Sequence, residues 1–231
     1  MTNIITYTNK NTTTMNSFLT TTDDFTIFQD KKKPTLFTII PTATATANKS
    51  IQLFRSLTKT KIIQSGTILD NGSSFTLKAH SIKTLDAYIK DKLPYSSALN
   101  MVYCLSKQLD YLINYESKCF YAYDPKNVII VDGTRFVYLS QEHLKDVQNN
   151  NIYIYHPITK NSPSMYLSPE LSSAESIPLI IHYKTIFYSL GLLIREFLSS
   201  DIKTIKETKL YYFLNRCLTP TNPENRVLLY V

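Results

Sequence analysis

The chain has 231 residues, 43% hydrophobic and 12% aromatic, with a formal net charge of +7. That length can bury a substantial core in one or two domains, and the composition excludes an intrinsically disordered chain. No apolar run approaches the roughly 20 residues of a membrane-spanning helix, and the polar N-terminus MTNIITYTNKNTTTMNSFLTTT lacks the apolar segment of a signal peptide, so neither a membrane span nor secretion is expected and a cytoplasmic location is.

Cys104, Cys119 and Cys217 are scattered, as are His80, His143, His156 and His182, with no metal-ligand spacing and no disulfide framework. The lysines are spread along the chain, and the longest run, Lys31-Lys32-Lys33 before Pro34, reads as a solvated hairpin turn rather than a binding patch. Heavy use of Asn, Thr, Ile, Lys and Tyr against only 4 glycines suggests an AT-rich genome, such as that of a large DNA virus or an AT-rich microbe.

Residues 1–22 read as a polar tail. A β-rich region with one helix follows over 23–80. FTIFQD and TLFTIIP form strands around KKKP, and TATATANKS is a loop. SIQLFRSLTK sets Ile51, Phe54 and Leu57 at helical spacing, and IIQSGTIL and SSFTLKAH are strands joined through Asp70-Asn71-Gly72. Residues 81–231 are mainly helical. KTLDAYIKDKL is a short amphipathic helix, and a longer one from Tyr95 lines up Met101, Val102, Leu105, Leu109 and Leu112. A hairpin over 128–139 turns at Asp132-Gly133, and 146–165 is polar and loop-like. IFYSLGLLIREFL is apolar nearly all round and predicts a buried helix, and KETKLYYFLNRCL predicts a final amphipathic one. The fold class is α+β.

Residues 120–144, FYAYDPKNVIIVDGTRFVYLSQEHL, resemble the catalytic loop of the protein kinases with its charged groups removed. Aligning Pro125 and Asn127 on the family's Leu-Lys-Pro-x-Asn sets Phe120, Tyr121 and Ala122 at His-Arg-Asp, and the usual spacing sets Ser140, Gln141 and Glu142 at Asp-Phe-Gly. Tyr166 to Glu170, with Pro169, resembles the Ala-Pro-Glu motif, and Ser189-Leu190-Gly191 the start of the central C-lobe helix. Cys217-Leu218 with Pro223 and Arg226 resembles a pattern near the family's end, with one extra residue. The resemblance covers about 25–229. It implies a two-lobed fold, with a small β-rich N-lobe and a mainly helical C-lobe, and a buried Glu170–Arg226 ion pair.

It also implies what is missing. Phosphoryl transfer needs a Gly-rich loop, a strand lysine with a helix glutamate, a base aspartate and metal ligands. Here no glycine precedes Gly66, Ile40 stands at the strand-lysine position, and no Asp or Glu occurs between Asp30 and Asp70. Ala122 replaces the base and Ser140 the metal aspartate, and Ile186 replaces an aspartate that holds the catalytic loop in the family. Of the constellation Asn127 remains, as a metal ligand or as a loop hydrogen-bonder. Asp124 is either a displaced base or a turn-former.

The expected function is that of a pseudokinase, a scaffold or allosteric partner of another protein, an active kinase among the candidates, with neither ATP nor Mg²⁺ as cofactor. Loops 42–48 and 146–165 are the candidate contact surfaces. Two alternatives stand beside it. One is a divergent active Ser/Thr kinase using Asp124 as base. The other is a basic nucleic-acid or membrane-surface module, although no aromatic-basic recognition motif supports a nucleic-acid partner.

Overall fold

Period-two alternation puts Phe25 with Ile27, Phe37 with Ile39 and Phe75 with Leu77 on a common face, and all six are buried. In the computed structural model, which describes residues 16–22, 24–42, 47–69, 72–88, 92–158, 165–218 and 221–226, that face belongs to a five-stranded antiparallel sheet. Its strands are β1 (Asn16–Thr21), β2 (Phe25–Asp30), β3 (Leu36–Pro41), β4 (Gly66–Leu69) and β5 (Ser74–Lys78), in the order β1-β2-β3-β5-β4. Helix α1 (Ala47–Lys59) connects β3 to β4 and buries Leu53, Phe54 and Leu57, with Phe54 stacked on Phe75 at 5.0 Å between ring centroids. The Lys31–Lys33 turn is exposed and is held by Asp30, whose Oδ1 accepts from the backbone N–H groups of Lys32 and Lys33.

Residues 16–21 correct the expected tail over 1–22: they form β1 and pair with β2 from Asn16↔Asp30 to Thr21↔Thr26. The segment is an edge strand with exposed Phe18 and Leu19, so it carries no buried stripe for a sequence reading to detect. The first fifteen residues of that tail lie outside the described residues, as do residues 70 and 71 of the expected turn.

The rest of the chain is built around one long helix. After β6 (Ile82–Thr84) and the single turn α2 (Leu85–Tyr88), α3 (Tyr95–Glu116) buries Met101, Val102, Leu105, Leu109 and Leu112 along one face. There follow β7 (Lys118–Phe120), β8 (Val128–Val131), β9 (Arg135–Tyr138), β10 (Leu144–Gln148) and β11 (Asn151–Ile154). Next come α4 (Pro169–Ser172), β12 (Leu179–His182), α5 (Thr185–Phe197) and α6 (Lys209–Leu218). Two more antiparallel sheets result, ordered β6-β8-β9 and β12-β11-β10-β7. On α3, Gln108 donates through Nε2 to the Tyr138 carbonyl at 2.9 Å and accepts the Tyr138 N–H at 2.9 Å through Oε1.

The expected loop over 146–165 is partly a hairpin. β10 and β11 are joined by Asn149 and Asn150, both with left-handed backbone (φ 49 and 63), which asparagine tolerates. Only Ile152 and Ile154 of β11 are buried, so the polar outer face masks the alternation. The short helix expected over KTLDAYIKDKL is described only as Leu85–Tyr88. Among the described residues the architecture is mixed α+β with six helices, none long and apolar enough to cross a membrane.

α5 and α6 pack closely at Gly191, where a Cβ would lie 3.0 Å from the Cβ of Cys217 and 3.0 Å from Cδ2 of Leu218. Gly191→Val forces these helices apart and is expected to cost about 1–3 kcal/mol. Urea unfolding checks it, as a lowered midpoint with an unchanged m-value.

Candidate functional site

The loop after β7 is a buried aromatic segment rather than an array of charged groups. Phe120, Tyr121, Ala122 and Tyr123 are all buried. Pro125 starts a 3-10 turn over Pro125–Asn127, and the half-buried Asp124 caps it by accepting the Lys126 N–H at 3.0 Å. The Asp124 N–H donates to the Tyr138 hydroxyl at 3.1 Å, and that hydroxyl lies 2.5 Å from Nδ1 of His143. The Tyr138 ring meets Phe120 and Tyr123 nearly edge-on, with centroids 4.8 and 4.7 Å away.

Ser189 is the α5 residue that secures this loop. Its hydroxyl accepts the Tyr123 N–H at 2.8 Å and donates to the Tyr166 carbonyl at 2.5 Å, while the Tyr166 N–H donates to the Tyr123 carbonyl at 3.0 Å. Ile186, three residues earlier, is fully buried and contributes packing. The sequence motif marked Ser189 only as a helix start, and its loop-anchoring role went unread.

The centre of the site is a residue the sequence reading passed over. Asp24, in the turn between β1 and β2, is 9% exposed and meets four donors. Its Oδ2 accepts from Asn127 Nδ2 at 2.7 Å and Ser140 Oγ at 2.8 Å. Its Oδ1 accepts from the backbone N–H groups of Gln141 at 2.9 Å and Glu142 at 3.2 Å. A carboxylate this far from water is tolerated only when its lone pairs are taken up in this way. Local bonds set the turn: Thr22 Oγ1 accepts from the N–H groups of Asp24 and Phe25, and the Thr42 N–H donates to the Asp24 carbonyl at 3.0 Å. No sequence signal relates Asp24 to partners more than 100 residues away.

Asn127 and Ser140, the two positions aligned on metal ligands, therefore both serve Asp24. The loop is also fastened to α1, since Gln141 Nε2 donates to Ser50 Oγ at 2.7 Å and Lys49 Nζ donates to the Gln141 carbonyl at 3.2 Å. The space bounded by Asp24, Ile39, Pro41, Phe54, Leu139 and Gln141 is only about 10 Å³. That is room for about one water, where small-molecule sites run to roughly 300–1,000 Å³. Ile39 and Pro41 face this space from β3, and Ile40 is half-buried and pairs with Thr26. Among the described residues no three His, Cys, Asp or Glu side chains converge as metal ligands.

His143 lies within this network and is 3% exposed. Burial lowers its pKa, outweighing the opposite pull of Asp24, Glu142 and Asp124, while Lys145 adds to the lowering. The neutral ring shares a hydrogen bond with the Tyr138 hydroxyl, which burial keeps protonated. Because the folded pKa is below the unfolded value of about 6.5, the unfolded chain binds the extra proton. The contribution is therefore complete above about pH 6.5 and is lost as pH falls through the folded pKa, at a slope of up to about 1.4 kcal/mol per pH unit. Urea midpoints measured from pH 8 to 5 are expected to fall below about pH 6.5 for the wild type and to fall less for His143→Gln.

Glu170 and Arg226 form a two-pronged ion pair, with Nη1–Oε1 at 2.5 Å and Nη2–Oε2 at 3.0 Å. Exposed Pro169 opens α4 and sets Glu170 in its first turn. Arg226 is fully buried and lies 5.0 Å from the Tyr188 ring centroid, and Thr185 Oγ1 donates to Glu170 Oε1 at 2.8 Å. Burial opposes ionisation of Glu170, but the hydrogen bonds from Arg226 and Thr185 prevail and hold its pKa below the ordinary value. The pair is asymmetric, because the Glu170 side chain keeps 19% exposure and that of Arg226 keeps 0%. Glu170→Ala strands the buried cation and is expected to cost about 3–5 kcal/mol, whereas Arg226→Met leaves a carboxylate that water reaches and costs less. Equilibrium unfolding of the two variants gives the order.

No protein-family model matches this chain, and no curated protein matches its sequence.

Proposed function

We propose that this chain is a catalytically inactive protein-kinase-like protein, a pseudokinase, that works by binding another protein. The observation that carries the reading is the occupancy of the cleft by Asp24. The residues aligned on the family's metal ligands, Asn127 and Ser140, donate hydrogen bonds to a carboxylate of the chain itself. A nucleotide phosphate entering there would meet a like charge and about 10 Å³ of space. The order of elements over 16–78, three strands, a helix and two strands, agrees with the small-lobe layout the resemblance implies, and the Glu170–Arg226 pair agrees with its large lobe. Asp124 caps its own turn, a structural task that suits a chain without a base.

A surface for a protein partner lies away from the cleft. Ile177 is 50% exposed and lines, with Ile154, Ile158 and Leu179, a hollow of about 240 Å³. An exposed apolar hollow of this kind marks an interaction surface. Affinity purification from the native host is expected to recover a partner with the wild type and to lose it with Ile177→Asp, whose stability stays within about 0.5 kcal/mol.

The reading is tested directly by a thermal-shift titration with ATP and Mg²⁺, for which no rise in Tm is expected. A site filled at a hundred times its Kd would stabilise the protein by about 2.7 kcal/mol. A Mg²⁺-dependent rise in Tm would overturn the proposal and favour a divergent active kinase.

A further inference from the structure

Asp24 is held as a bound ligand is held. Its carboxylate receives two side-chain donors, Asn127 Nδ2 and Ser140 Oγ, and two consecutive backbone donors, the N–H groups of Gln141 and Glu142. These donors have supports that do not involve Asp24. Ser140 Oγ accepts the His143 N–H at 3.2 Å, and the Gln141 side chain donates to Ser50 Oγ at 2.7 Å. The Asn127 N–H donates to the Asp124 carbonyl at 3.0 Å, and the Asn127 carbonyl accepts the Leu139 N–H at 2.9 Å. The donor set is thus also held by contacts within the loop and to α1 that do not involve the β1–β2 turn, which is the property of a preformed binding site.

The chemistry of the set selects a carboxylate. Four donors on two oxygens match a planar monoanion. Asn127 Oδ1, on the same amide that meets Asp24, is buried with no hydrogen-bond partner among the described residues, so it adds lone pairs rather than the further donors a phosphate dianion needs.

We infer that Asn127 and residues 140–142 form a carboxylate-binding site whose resident ligand is the Asp24 side chain, and that this contact fixes the β1–β2 turn over the loop. The inference rests on the binding-only reading in that the cleft holds no nucleotide phosphate. Its consequence is that the five-stranded sheet is held against the helical part of the chain without any small molecule.

The test empties the site and refills it. Asp24→Ala keeps the Cβ and removes one carboxylate, which formate matches in size. The variant is expected to melt roughly 5–10 °C below the wild type. The Gln141 and Glu142 amides are expected to exchange slowly in the wild type and fast in the variant. Sodium formate should restore Tm and amide protection in a dose-dependent way, while chloride and phosphate at equal ionic strength should not, and the wild type should not respond. An unchanged Tm in Asp24→Ala, or a formate effect no larger than that of chloride, overturns the inference. If Asp24→Ala does not fold, the near-isosteric Asp24→Asn replaces it, and unaltered exchange at Gln141 and Glu142 in that variant overturns the inference equally. The two proposals fail separately, because an ATP response of the wild type refutes the binding-only reading and leaves formate rescue standing, whereas absent rescue refutes the carboxylate site alone.

Discussion

One carboxylate joins the two ends of this architecture. The five-stranded sheet contributes Asp24, and the loop that follows β9 contributes three of the four donors that receive it, Asn127 Nδ2 being the fourth. The arrangement works only as a unit. Without the donors, Asp24 would be a desolvated charge with no compensation. Without Asp24, two consecutive backbone N–H groups and two side-chain donors would lose their acceptor in a space that admits about one water. Lys49 and Ser50 then carry the constraint into α1, so that sheet, helix and loop share one polar junction.

This junction handles its charge differently from a phosphoryl-transfer centre. Phosphoryl transfer asks a protein to keep negative groups apart and to neutralise them with metal ions at the moment of reaction. The charge at the centre here belongs to the protein and is permanently matched by neutral donors. Around it the loop is filled with aromatic side chains, Phe120, Tyr121, Tyr123 and Tyr138, which supply rigidity through packing. The pairing of Ser189 with both Tyr123 and Tyr166 is likewise made of neutral hydrogen bonds.

What was legible in the sequence divides along physical lines. Helices with a continuous apolar stripe, α1, α3 and α5, could be read because burial imposes their periodicity. The hairpin at Asp132-Gly133 was legible because its left-handed backbone selects those residue types. Strands with one polar face were not: β1 and the β10–β11 hairpin bury too little on one side for alternation to stand out. The site was half legible. Motif spacing singled out Asn127 and Ser140, which meet at Asp24, and Glu170 and Arg226, which pair. Asp24 and Ser189 could not be placed, because their meaning lies in contacts across long stretches of chain that no local pattern encodes. Ile40 shows the remaining limit. A one-residue step along a strand changes which face a side chain occupies, and the small space beside Asp24 is lined by Ile39 and Pro41 while Ile40 pairs with Thr26.

The paired bonds between Gln108 and the backbone of Tyr138 have a consequence for how this molecule behaves in a crowded solution. β9 is the outermost strand of its sheet, and an outermost strand offers its free N–H and carbonyl groups to any extended chain that comes near. The primary amide of Gln108 reproduces the donor–acceptor pair of one further peptide unit, so a side chain on α3 stands in for the missing neighbour strand. The sheet is thereby sealed against intermolecular growth at that rung. Glutamine suits this post because it offers a donor and an acceptor side by side, whereas glutamate would set two acceptors against the Tyr138 carbonyl and N–H and reopen the edge.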